Sequence, residues 1–118
     1  MAYDEELANR IRELLGDRIR ELLGDRDGLT EMKMFGGLAF LIGGNMAIAA
    51  SGQGGILVHV DPEESDELVA STAAALMEMR GRTMRGWLRV DTADVADDAA
   101  LGEWVERGAA YAASLPPK

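Results

Sequence analysis

The chain has 118 residues, enough for one domain with a real core but not for two. Its net charge of −9 opposes binding to phosphate backbones, and the absence of cysteine excludes disulfides and thiolate metal sites. Hydrophobic residues make up 47% and charged residues 28%, yet no apolar run is long enough to span a membrane.

Residues 4–25 read as a first helix. Asp4 can cap it, and Glu5 and Glu6 suit the positive end of its dipole. Leu7, Ile11, Leu14 and Leu15 follow helical spacing. Met1–Asp4 lead straight into this charged stretch, so no signal peptide is expected and the cytoplasm is the expected location. Within the helix, the string RIRELLGD at 10–17 recurs letter for letter at 18–25. Eight residues turn a helix by about 800°, so equivalent positions are offset by about 80° and cannot share one narrow stripe. The sheet begins after Gly28. The second copy, Ile19, Leu22 and Leu23, is therefore expected to dock, leaving the first copy uncovered about 12 Å further out. A homodimer through this helix or through a sheet face would cover it. The rival arrangement docks the first copy and loops out the second around Gly16 or Gly24.

Asp27-Gly28 is a stop signal. Met32–Ile42 reads as one strand, Gly43-Gly44-Asn45 as a hairpin turn, and Met46–Ala50 as a second strand. After a turn at 51–55, Ile56–Val60 is the third. Asp61-Pro62 opens a helix carrying Glu63 and Glu64, with Leu68, Val69 and Leu76 on its apolar side. Met77–Met79 and Trp87–Val90 are strands flanking Arg80–Arg85. Asp97 or Asp98 caps a last helix running to about Ser114. The order α-β-β-β-α-β-β-α over a single domain, 1–118, predicts an α+β fold with two layers. An antiparallel sheet of about five strands would carry its helices on one side.

Strand one is apolar on both faces, with Met34, Leu38, Phe40 and Ile42 on one and Phe35, Ala39 and Leu41 on the other. Helices on one side cannot cover both, so the strand is either curled and central or has an interface on its second face. Most methionines fall in these strand segments, and methionine is common where a surface repacks around partners.

Chemistry-bearing patterns are sparse. His59 is the only histidine and has no nucleophile motif or second ligand near it, so it reads as an ordinary surface or edge residue. The acidic residues sit in helix first turns and loops, and the glycines match no phosphate-binding loop. Metal, cofactor and catalytic residues are accordingly not expected, and the chain reads as a non-enzyme. Arg80, Arg82, Arg85 and Arg89, with Lys33 across the sheet, could hold a carboxylate or phosphate. Pairing with the chain's own carboxylates is the plainer reading, because Asp and Glu outnumber Arg and Lys by 21 to 12.

Three strings remain: Lys33-Met34-Phe35-Gly36-Gly37, Gly44-Asn45-Met46 and Met84-Arg85-Gly86-Trp87. With Trp104–Gly108 and the closing Leu115–Lys118, their order and spacing resemble the N-terminal domain of the TfoX/Sxy competence regulators over residues 28–118. The resemblance implies the same two-layer fold, with room for one copy of the repeat. It also implies a non-catalytic, protein-binding role as a transcriptional co-regulator. Full-length relatives act with the cyclic-AMP receptor protein at competence promoters and add a second domain beyond the point where this chain ends. An anion-binding domain using the arginine hairpin 80–89 is the alternative. Trp87 is expected to be substantially buried.

Overall fold

The computed structural model describes residues 4–23, 29–34, 36–52 and 54–116. Three helices, α1 (Glu5–Leu23), α2 (Ser65–Ser71) and α3 (Asp98–Ser114), accompany six strands. These are β1 (Leu29–Met34), β2 (Gly37–Ile42), β3 (Asn45–Ala50), β4 (Ile56–His59), β5 (Ala75–Met79) and β6 (Arg82–Val90). They form one open antiparallel sheet in the order β1-β2-β3-β4-β6-β5. The α+β reading is right, and the strand count rises from five to six.

The extra strand arises where one was expected over Met32–Ile42. Gly36 takes φ +79°, and a Cβ on Gly37 would sit 2.3 Å from the Ala50 carbonyl oxygen. The chain therefore turns back on itself here, and β1 pairs with β2 in register Met34↔Gly37. Gly43 and Gly44, at φ +60° and +84°, close in two residues the hairpin expected at Gly43-Gly44-Asn45, and Asn45 already belongs to β3. Arg80 and Gly81, at φ +55° and +78°, do the same between β5 and β6. Leu76, read as helical from sequence, lies in β5 instead.

Alternation along the strands assigns the core. Leu38, Phe40 and Ile42 of β2, Ile48 of β3, Ile56 and Val58 of β4, and Leu88 and Val90 of β6 point to one face. Leu101, Trp104 and Val105 of α3, Leu7, Ile11 and Leu15 of α1, and Leu68 and Val69 of α2 cover that face in a single cluster. Helix α3 lies close enough that a Cβ on Gly108 would meet the Ala47 carbonyl oxygen at 2.4 Å. Ala47 is the extra residue of a bulge in β3, where Phe40↔Ile48 is followed by Leu41↔Met46.

The repeat docks differently from expectation. Residues 5–23 are one helix, and the first copy, expected to be uncovered, is buried: Ile11 and Leu15 are each 0% exposed, with Leu7 one turn ahead of them at 2%, while the side chains of the second copy lie outside the described residues. Arg10 anchors this copy, donating to the Asp98 carboxylate at 2.9 Å and to the Val95 and Ala96 carbonyls. Arg12 grips Glu31 of β1 through two bonds of 2.7 Å. These long-range contacts lie outside what helical spacing reports.

Candidate functional site: the uncovered face of the sheet

The residues between the core positions point to the other face, and among the described residues none of those lining its hollow comes from a helix. Ala39 of β2, Ala49 of β3 and Leu57 of β4 make its floor, with Leu41 beside them. Met34 from one end of the strand order and Met77 and Met84 from the other rise around it. All six strands thus line one hollow of about 440 Å³, which requires the sheet to curl. Two irregularities supply the bend: the Ala47 bulge, and a slip in which Leu76↔Leu88 is followed by Met77↔Met84, leaving Arg85–Trp87 of β6 without partners on β5. The small alanine side chains on the central strands give the hollow its depth.

Its two ends differ. At one end His59 of β4 faces Trp87 of β6, their rings stacked 3.9 Å apart at 8°. Tyr111 of α3 meets the His59 ring edge-on at 5.0 Å, and His59 Nδ1 lies 3.2 Å from the Met46 carbonyl oxygen. The histidine is therefore neither an edge nor an ordinary surface residue. Strand β4 is paired on both sides, and the aromatic partner opposite holds the ring half-buried. Trp87 is likewise half-buried on this face and is not a core residue. At the other end stand Ser51 and the half-buried Arg89.

The expected arginine group does not assemble as a unit. Arg80 occupies the β5–β6 turn rather than a strand face, and Arg82 is exposed beside it. Arg85 donates to the Pro62 carbonyl at 3.1 Å. Lys33 is exposed on β1, at the opposite end of the strand order, and does not line the hollow. Of the five cations only Arg89 lines it. Among the described residues no cluster of His, Asp and Glu could hold a metal ion, and no helix is long and apolar enough to cross a membrane.

The motif residues prove to shape this face. Asn45 is buried and donates through Nδ2 to the Pro116 carbonyl at 3.0 Å, tying the β2–β3 hairpin to the segment after α3. Gly86 takes φ +87° against Val60 and Pro62. Its N–H donates to the Ser65 hydroxyl at 2.7 Å, and its carbonyl accepts from Val60 N–H at 2.8 Å. The fully buried Ser65 in turn donates to the Pro62 carbonyl. Gly86 therefore sets the kink that presents Trp87. Met34, Gly37 and Met46 line the hollow, Gly36 makes the turn beside it, and Phe35 lies outside the described residues. Sequence reasoning missed His59 as part of this surface. The available signal was its alternation with Val58 and Val60, which places it opposite the core.

The family model of the TfoX N-terminal domain matches residues 21–112, most of the chain. The chain belongs to the TfoX N-terminal domain family. The match spans every strand, α2 and most of α3, and it starts inside the second copy of the repeat. The segment of α1 that packs on the TfoX-type sheet, Leu7–Leu15, precedes it. No curated protein and no solved structure matches the chain.

Proposed function

We propose that this TfoX-type domain is a non-catalytic regulatory module that works by binding another protein on the uncovered face of its sheet. The observation that carries the reading is the hollow itself, an apolar surface drawn from all six strands and rimmed by methionines. A flexible, polarizable rim repacks around a partner's side chains at little cost, which suits recognition rather than turnover. A volume of about 440 Å³ accommodates a few large apolar side chains from one segment of a partner. The aromatic pair Trp87–His59 supplies a rigid wall of the kind that concentrates binding energy. A cytoplasmic transcriptional co-regulator role fits such a module. A second copy of the chain, joined through this face, is one candidate partner.

The test places a photo-crosslinking amino acid at Met46, inside the hollow, or at Glu103, on the helical layer, in the source cells. One protein captured at position 46 and not at 103, and lost when Ala49→Trp fills the floor, supports the reading. Capture that is indifferent to the filled floor, or no capture, overturns it.

One observation favours a second reading, in which the hollow takes a small amphipathic anion. Its volume falls within the range of small-molecule sites, and Arg89 stands at one end of a lining that is mostly apolar but also carries Ser51, His59, Asn45 and Glu78. On that reading decanoate at millimolar concentration raises the melting temperature, decanol does not, and Arg89→Gln removes the difference.

A further inference from the structure

The groove that receives α1 meets a sequence written twice. Leu7–Leu15 reads LANRIRELL and Leu15–Leu23 reads LGDRIRELL. The two segments differ only at Ala8 against Gly16 and Asn9 against Asp17. Apart from the buried methyl group of Ala8, the core and charged contacts that dock the helix come from positions they share. Leu7, Ile11 and Leu15 fill the core, Arg10 holds Asp98 and the Val95 and Ala96 carbonyls, and Arg12 holds Glu31.

Moving the helix by eight residues puts Leu15, Ile19 and Leu23 in the same three core positions. It also brings Arg18 to Asp98 and Arg20 to Glu31. The 80° offset between copies is no obstacle, because the whole helix rotates and advances as a rigid screw. Among the described contacts of Asp4–Leu15, the losses are one buried methyl group, that of Ala8, and the N-terminal cap made by Asp4 on Leu7. The Asn9 contact to Arg12 becomes Asp17 to Arg20, an amide replaced by a carboxylate.

Chain connectivity permits the shift. In the observed register thirteen residues, 16–28, separate the docked segment from β1; in the shifted register five do, 24–28, an ordinary connection length. The Arg12–Glu31 bond shows that this end of the groove already lies beside β1. A separate observation is compatible with the shift: the family match begins at residue 21, so residues of the second copy and none of the first fall within it.

We propose that α1 is a two-position helix, docked by its first copy in one state and by its second copy in the other. The shifted state carries the first copy outward by about 12 Å and frees Leu7 and Ile11 for a second chain or another partner. The device goes beyond the binding role of the sheet face and does not depend on it. Two sequences nearly equal in docking chemistry differ little in free energy, so a modest bias moves the population.

Substitution separates the registers. Ile11→Asp puts a charge into the core only in the observed register. It should stay folded and cooperative because Ile19 replaces it, whereas Ile11→Asp with Ile19→Asp should not fold. Ile19→Asp alone should melt as the parent does. The chain lacks cysteine, so spin labels at Glu13→Cys on α1 and Glu103→Cys on α3 report the position of the helix cleanly. The distance between them should move to a new value in the Ile11→Asp background, as Glu13 is carried about 12 Å along the axis. If Ile11→Asp unfolds as completely as the double variant, or stays folded with the parent distance, the two-position helix is wrong.

Discussion

The two faces of this sheet are made by neighbouring residues of the same strands, yet they are built to different ends. On the covered face Phe40, Ile48, Ile56, Val58 and Leu88 are 0% exposed and three helices close over them. On the uncovered face, one residue along, stand Ala39, Ala49, Leu57, Trp87 and Arg89. The covered side is rigid and dense, with Gly108 pressed on the Ala47 backbone. The uncovered side is hollow and lined by methionines. The difference teaches that alternation divides stability from recognition at single-residue resolution. A substitution should therefore act on one or the other according to the parity of its position.

The sharpest way to break this comparison is at the core. Phe40→Ala should destabilise by about 3–5 kcal/mol in urea unfolding, the cost of a large buried aromatic. A smaller loss than that of Trp87→Ala would reverse the assignment of faces. Next comes Gly108→Ala, whose new Cβ meets backbone rather than a yielding side chain. It should cost about 2–3 kcal/mol by the same measurement, and an unchanged midpoint would show that α3 does not pack this tightly. On the open face, Trp87→Ala should cost only about 1–2 kcal/mol, below the value for a core tryptophan. Its larger effect should be on capture of the partner at Met46.

The smallest effect belongs to the Arg12–Glu31 pair beside β1. The bond from Arg12 holds the Glu31 carboxyl below its ordinary value of about 4.5, against a weaker opposing effect of burial. Because the folded value is depressed, the pair's contribution is present above about pH 4.5 and is lost as pH falls through the lower folded value. Both side chains are more than a third exposed, so Glu31→Gln should cost under about 1 kcal/mol at pH 7. That cost should shrink toward zero in acid. A gap between variant and parent that persists there would assign the effect to shape rather than charge.

Much of the fold was legible because its signals are local. The hairpin at Gly43-Gly44 needs two residues at positive φ, and glycine there announces it. Leu38, Phe40 and Ile42 against Ala39 and Leu41 announced two apolar faces. The break at Gly36-Gly37 was less legible, since its cause is the approach of Ala50, distant in sequence. His59 was misread because its character comes from Trp87 across the sheet and Tyr111 on α3. The arginine group looked coherent only along the chain; the Arg80-Gly81 turn and the β6 kink at Gly86 send its members in different directions.

By itself, then, the sequence determined the order of elements, the alternation of faces, the acidic surface and the repeat, because turn chemistry and side-chain period act between near neighbours. Tertiary structure decided which face is covered, how the sheet curls into a hollow, and that the first copy of RIRELLGD is buried. Those choices rest on bulges, on cross-strand register and on contacts such as Arg10 with Asp98, which join residues far apart in the chain. Two identical strings carry no local signal that says which is buried.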